Sequence, residues 1–295
     1  MDGTFKGGGT LILVDTRFVV PVSVTGSSCP MNCKHCGGVY LRHMVPVWEM
    51  EKYAKNGRKV FLISGGMTPD GRIPFKRWKD LLKRLKGVYD LKYNFHVGFP
   101  QERDEVANEL ADVISVDFFA DPDVMEEVYG IRRDPWVQIN VMKSYDPPVV
   151  PHVTIGVLCG EISHELRALE ILSRNFDSIV LNVFIPTPGT AYESCPAPKL
   201  EGVLKVFSVA RKLFKTVFLG CMQPKGSYRE KLQRGISKVV DGITKPVVDG
   251  ERVYNCCAFE VLSLSTSQRA KSAESAAKTQ IDLTMNRTSF PNTDE

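Results

Sequence analysis

The sequence lacks most of the features that would place it in a special class. No apolar stretch approaches the roughly 20 residues that a membrane-spanning helix needs. No run of one charge sign stands out either: 38 Lys and Arg against 34 Asp and Glu leave a net charge of +4 spread along 295 residues. Without a basic stripe to track a phosphate backbone, nucleic acid is not an expected partner. The opening residues lack the basic-then-apolar order of a signal peptide, so a cytoplasmic location is expected. Glycine (23) and proline (18) are too few for a collagenous or low-complexity chain, and 43% hydrophobic content is too high for intrinsic disorder. What is present suffices for one large domain or two ordinary ones. There are also 8 cysteines, which in a reducing compartment serve as ligands or catalysts more often than as disulfides.

Eight short β-rich runs recur, at 18–25, 59–64, 93–98, 113–119, 153–158, 178–184, 216–220 and 242–248. Between them lie segments with apolar residues at helical spacing, as in Val203, Phe207, Ala210 and Leu213. The alternation predicts right-handed βαβ crossovers and a parallel sheet. The fold class is therefore α/β, and the size matches a (βα)8 TIM-type barrel, complete or partly open. An open doubly wound sheet is the rival, because periodicity does not show closure. The runs read as apolar on both faces, as strands covered by helices do. Residues 131–150 are ambiguous: 136–142 has strand composition, but Asp146-Pro147-Pro148 breaks it, leaving an extra strand or a loop over the barrel mouth. From 263 onward Ser, Thr, Lys and Ala dominate, and Leu264, Ile281, Leu283, Met285 and Phe290 are too sparse for a core. The expected organisation is a barrel domain over 1–262 and a disordered or loosely helical tail over 263–295, with truncation after Leu262 leaving metal binding intact.

Chemistry concentrates in Cys29-Pro30-Met31-Asn32-Cys33-Lys34-His35-Cys36, a C-x3-C-x2-C array just after the first strand. Three thiolates on one tight loop can each hold one iron of a [4Fe–4S] cube, leaving the fourth iron open. A structural zinc site needs four ligands, usually as two separated pairs; His35 or His43 could complete a set here, but no second pair is present.

This array resembles the defining motif of the radical S-adenosylmethionine (SAM) superfamily, and the resemblance spans about 19–261. It implies that Cys29, Cys33 and Cys36 ligate a [4Fe–4S] cluster whose open iron chelates SAM. One electron would then cleave SAM to methionine and a 5′-deoxyadenosyl radical that abstracts hydrogen from an unactivated carbon. The residue before the third cysteine is usually aromatic in the family and packs on adenine; here it is His35. Ser64-Gly65-Gly66-Met67 resembles the family's Gly-Gly-Glu motif with Met67 in place of the acid, and Gly65 and Gly66 would let bare backbone approach the SAM amine. The stretch from Gly156 to Gly160 and Glu161 is similar to the one that contacts adenine and ribose in biotin-synthase-like members. Pro188 and Gly189, in Pro186-Thr187-Pro188-Gly189-Thr190, resemble a turn at the barrel mouth of the same relatives. Asn182, Thr190 and Asp117 are further mouth candidates, with a capping or solvated Asp117 as the alternative. His152, at the start of the fifth run, reads as structural.

Five cysteines remain: Cys159, Cys195, Cys221, Cys256 and Cys257. Cys221, Cys256 and Cys257, with Cys195, are candidates for an auxiliary iron–sulfur cluster; small buried hydrophobes are the alternative. The Gly-Cys-Met-x-Pro turn, the Cys-Cys pair and the Pro-Thr-Pro-Gly-Thr loop together resemble the biotin synthase and lipoyl synthase branch. That resemblance implies sulfur insertion into a protein-bound octanoyl chain, with an octanoylated carrier protein and a second radical SAM subunit as partners. A ferredoxin or flavodoxin would supply electrons. The alternatives are methyl or carbon-skeleton chemistry or a maturase without sulfur insertion and, outside enzymes, an iron–sulfur scaffold or zinc-binding partner.

Overall fold

All eight expected strands form, and three short ones join them. In the computed structural model, which describes residues 11–265, the strands are β1 (Ile12–Asp15), β2 (Val19–Ser23), β3 (Val45–Pro46), β4 (Val60–Ser64), β5 (Lys92–His96), β6 (Val113–Asp117), β7 (Val149–Ile155), β8 (Ser178–Val183), β9 (Thr216–Leu219), β10 (Gly242–Thr244) and β11 (Arg252–Tyr254). They form one sheet in the order β11-β1-β10-β9-β8-β7-β6-β5-β4-β2-β3. Its ladders are parallel. The sheet curls into an open barrel: β1 and β2 follow each other in sequence but lie toward opposite margins and share no ladder. This is the partly open form of the expected (βα)8 architecture.

The helices are α1 (Met50–Lys55), α2 (Lys79–Tyr89), α3 (Glu105–Leu110), α4 (Pro122–Tyr129), α5 (Pro135–Lys143), α6 (Glu165–Ser173), α7 (Leu200–Leu213) and α8 (Ser227–Ile236). The ambiguous stretch 136–142 is helical, in α5. The Asp134 carboxylate accepts the N–H groups of Trp136 and Val137, and Pro135 occupies the first turn, so a cap and a preset φ outweigh the strand-like composition.

The strands are not apolar on both faces. Outward residues such as Phe61, Ile63, Tyr93, Phe95, Val153, Ile155, Ile179 and Leu181 pack with Leu82, Leu85, Val203 and Phe207 of the helices. At the N-terminal end of the lumen, Val113, Val150, Val180 and Phe218 form a second apolar cluster. Toward the C-terminal end, Asn94, Ser115, His152 and Thr154 occupy the inward positions and are buried, as period-two alternation with their outward neighbours requires. Gly242 accommodates Phe218, whose ring would lie 2.1 Å from a Cβ at that glycine.

Residues 257–265 are helical. Cys256, Cys257, Ala258 and Val261 pack into the basal cluster, with Leu262 and Leu264 against it, so this segment closes the barrel floor. The Ser265 and Ser178 hydroxyls are 2.6 Å apart. The folded domain thus runs past the expected boundary at 262, and the rest of the expected tail, 266–295, lies outside the described residues. Among the described residues no helix is long and apolar enough to cross a membrane.

Phe218 is fully buried at the centre of this floor. Phe218→Ala is expected to cost about 3–5 kcal/mol through lost transfer energy and an unfilled cavity, read as a lower urea midpoint at unchanged slope.

Candidate functional site

The cysteine loop leaves the C-terminal end of β2 and is held from two sides. On the first, the loop after β4 is drawn against it: Val24 N–H donates to the Ser64 carbonyl (2.8 Å) and Gly66 N–H to Thr25 Oγ1 (2.7 Å). The approach is so close that a Cβ on Gly66 would sit 2.0 Å from the Ser28 carbonyl oxygen and 2.7 Å from Cys29 Cα. On the second, Lys34 N–H donates to the Val128 carbonyl at the end of α4 (2.9 Å), and Tyr192 N–H donates to the Lys34 carbonyl (3.1 Å). Within the loop, Cys36 and Gly37 N–H both donate to the Cys33 carbonyl (3.0 and 2.7 Å), and positive φ at Asn32, Gly37 and Gly38 turns the chain.

Cys29, Cys33, His35 and Cys36 thereby line one cavity of about 290 Å3, together with Gly65, Met67, His96, Asp117 and apolar walls that include Leu41, Ile73 and Phe99. Burial pushes the Cys33 thiol up to about 12, and the Cys36 and Cys29 sulfurs add to the rise. Cys36 is raised by burial as well. These thiols keep their protons unless a cation takes them, the behaviour of ligands that release protons on metal binding. Three thiols around one cavity suit a cluster that takes each thiolate on a different iron. Among the described residues, no group of three or more His, Cys, Asp or Glu side chains is placed to hold a single metal ion.

With an open parallel barrel and a cysteine-lined cavity at its C-terminal mouth, the comparison with solved structures has content. Methylornithine synthase (PylB) superposes with a TM-score of 0.55 at 13% identity, over 83% of this chain and 79% of that one. The fold is similar to that of methylornithine synthase. The carboxyl transferase domain Y628A of Rhizobium etli pyruvate carboxylase (TM-score 0.45, 11% identity, 89% of this chain and 44% of that one) and a psychrophilic family 10 endo-β-1,4-xylanase (0.40, 11%, 83% and 86%) also align. No protein-family model matches the chain, and no curated protein matches it in sequence.

The cavity lining also contains a contact between His96 and Asp117. Asp117 Oδ2 lies 3.2 Å from His96 Nε2. Burial lowers the pKa of His96, but the charge and hydrogen bond of Asp117 outweigh it and the net shift is upward. Burial raises Asp117, but His96, with His152 and His35 beyond it, brings it down. His96 went unnoticed in the sequence, although Asn94-x-His96, Ser115-x-Asp117 and His152-x-Thr154 share a period-two polar pattern at the strand ends. His152 is a correction: β7 begins at Val149, so His152 stands mid-strand, and its ring lies 6.3 Å from that of His96.

His35 is buried against Tyr129, ring centroids 5.0 Å apart, and its Nδ1 has no partner. Gly156 and Gly160 adopt positive φ, and the space beside them is filled by this chain: Cβ atoms there would lie 2.2 Å from Pro198 Cγ and 2.3 Å from the Pro196 carbonyl oxygen. Glu161 is exposed on the same turn. The buried carboxylate is Glu165, which accepts N–H groups from Gly156 (2.7 Å) and Ser163 (2.6 Å). Pro188 and Gly189 stand outside the cavity lining; Gly189 N–H donates to Glu193 Oε2 (2.8 Å). Asn182 Oδ1 accepts Met222 N–H (3.2 Å), and the Thr190 hydroxyl donates to the Thr187 carbonyl (2.7 Å), so both secure loops.

Of the spare cysteines, Cys221, Cys256 and Cys257 lie near enough to act on one another electrostatically, and Cys195 is set apart from them. Cys195 is bonded to Cys159 in a disulfide, which removes it from any auxiliary ligand group and corrects the expectation of thiols alone. Cys256 and Cys257 are buried in the floor, where Asn94 Nδ2 donates to Cys256 Sγ (3.2 Å). Cys221 is exposed at the end of β9.

Two tests follow from this packing. Gly66→Ala is expected to cut iron incorporation on reconstitution by about tenfold or more, because the loops at Gly66 and Cys29 have no room to part without losing the Thr25 hydrogen bond. Separately, burial pushes His35, His152 and His164 down to about 4. The unfolded chain binds protons at these rings from about pH 6.5 downward and the folded chain only near 4, so stability falls as pH drops through that window. His164→Asn should flatten the dependence of the urea midpoint between those pH values; an unchanged slope contradicts the assignment.

Proposed function

We propose that this protein is a radical SAM enzyme that holds a [4Fe–4S] cluster through Cys29, Cys33 and Cys36 and binds SAM at the same cavity. The observation that carries the reading is the C-x3-C-x2-C loop: it follows β2, its three thiols line one cavity at the C-terminal mouth, and the catalytic end of such barrels is this one. The similarity of the fold to methylornithine synthase supports it. Bound there, cluster and SAM supply one-electron reductive cleavage and hydrogen-atom abstraction, with electrons from a ferredoxin- or flavodoxin-class donor.

The chain's own residues prepare the place. Gly65 lines the cavity beside the thiols, and Gly66 lets the cysteine loop come close enough to hold them there. Leu41, Ile73, Phe99 and Tyr129 keep water from the cavity wall, which strengthens polar contacts inside and protects a reactive species from quenching. His35, neutral because burial lowers it to about 4, offers a flat uncharged ring. Asp117 favours the protonated ring of His96 on the cavity wall.

Sulfur insertion finds less support. An auxiliary sulfur donor needs its own ligands, yet Cys195 is committed to a disulfide and Cys256 and Cys257 belong to the apolar floor. The reading therefore ends at hydrogen abstraction, without lipoyl synthesis. Anaerobically reconstituted protein is expected to hold about four iron atoms per chain and, with dithionite and SAM, to form 5′-deoxyadenosine and methionine. Cys33→Ala should lose both properties. About eight iron atoms per chain would restore the sulfur-inserting alternative, and loaded protein that forms no 5′-deoxyadenosine would overturn the enzyme reading.

A further inference from the structure

Two cysteines of the mouth loops, Cys159 and Cys195, are joined, with Cα atoms 5.1 Å apart. The bond ties the turn after β7 to the far end of the loop after β8. That turn is shaped for the purpose. Cys159 holds a positive φ of 48°, rare for a residue with a side chain. On either side, Gly156 and Gly160 admit Pro198 and the Pro196 carbonyl at distances that no Cβ allows.

From Cys195 the contacts lead straight to the cysteine loop. Cys195 N–H donates to the Tyr192 carbonyl (3.2 Å), and Tyr192 N–H donates to the carbonyl of Lys34, between Cys33 and Cys36 (3.1 Å). The Tyr192 ring packs in one apolar cluster with Cys33 and Phe184, and Cys36, Cys159 and Cys195 pack against that cluster. Further along the β8 loop, Thr187 Oγ1 lies 2.7 Å from Tyr40 Oη, and the Gly189 carbonyl approaches Gly37. The 187–195 segment is thus one wall of the cysteine loop, and beyond it the chain is fastened to β7 by the covalent bond.

We propose that the Cys159–Cys195 disulfide is a redox-dependent latch that positions the Cys29–Cys36 loop: formed, it clamps the 187–195 segment on the loop, and reduced, it releases that wall. A dithiol opens the latch by transferring two electrons and two protons; the S–S bond becomes two thiols and the reductant leaves as its own disulfide. Cys159 and Cys195 are positioning residues, acting on Cys33 and Cys36 through Tyr192 and Lys34. The consequence for catalysis rests on the proposed role of the cysteine loop, but the latch is a property of the protein without cluster or SAM.

Hydrogen exchange read by mass spectrometry on full-length, cluster-free protein purified in air tests it. After dithiothreitol, peptides covering 29–40 and 187–195 are expected to exchange roughly tenfold faster while those covering 113–117 keep their protection, as a local opening requires. The C159S/C195S double variant should match the reduced protein, with no further response to dithiothreitol. In reconstituted protein, reduction of the bond should speed iron loss to a chelator several-fold. Unchanged exchange over 29–40 overturns the latch. So does thiol titration that finds Cys159 and Cys195 free in air-purified protein, or loss of protection throughout the barrel, which would make the bond a general staple. Absence of SAM cleavage would sink the radical SAM reading and leave these results standing.

Discussion

A parallel strand in a barrel has two faces with incompatible demands, and most of this structure follows from how the sequence divides them. The outer face is committed to helices, so Phe61, Tyr93, Phe95, Val153 and Leu181 are apolar along its length. The inner face is apolar only at the N-terminal end, where Val113, Val150, Val180 and Phe218 meet the helix at 257–265. At the C-terminal end the same face turns polar, and a polar group inside a barrel has to be hydrogen-bonded or open to a ligand. Ser115 Oγ donates to Asn94 Oδ1, Asn94 donates to Cys256, and His96 is paired with Asp117. One end of the lumen therefore seals the fold, and the other is where chemistry can be held.

Above that polar layer four mouth loops meet, and at the glycines they do so at distances that side chains would forbid. The glycine pair after β4 lies against Cys29, the β8 loop lies against Lys34, and the prolines at 196 and 198 sit in the space cleared by Gly156 and Gly160. Close backbone contact fixes the loop that carries the thiols. The cost is burial of groups that prefer water: Cys33 is driven up to about 12 and His35 down to about 4. Such perturbed groups gathered on one cavity are a mark of a functional site.

Much of this was legible beforehand. The eight strand runs carried their own boundaries in turns and caps, and the cysteine spacing stated a ligand set without a fold. Other parts were not, for physical reasons. The helix over Pro135–Lys143 is decided by the Asp134 carboxylate and the ring of Pro135, a two-residue signal that the Trp136 to Met142 composition masks. Glu161 sits on the turn beside Gly160, yet Glu165, four residues later at the first position of α6, is the carboxylate that turns inward. His96 lies within a run whose average is apolar, so only strict alternation would expose it. The pairing of Cys159 with Cys195 depends on where two loops of different strands arrive in space, which spacing along the chain does not encode.

The central claim is that the cavity at the mouth brings SAM to an iron left open by Cys29, Cys33 and Cys36. Electron paramagnetic resonance of the dithionite-reduced, reconstituted protein, recorded before and after SAM is added, addresses it directly. The account predicts a reduced-cluster signal that SAM perturbs, because a ligand joining one iron changes the electronic structure of the whole cluster. A signal that SAM leaves untouched, from protein with its cluster fully loaded, would contradict it.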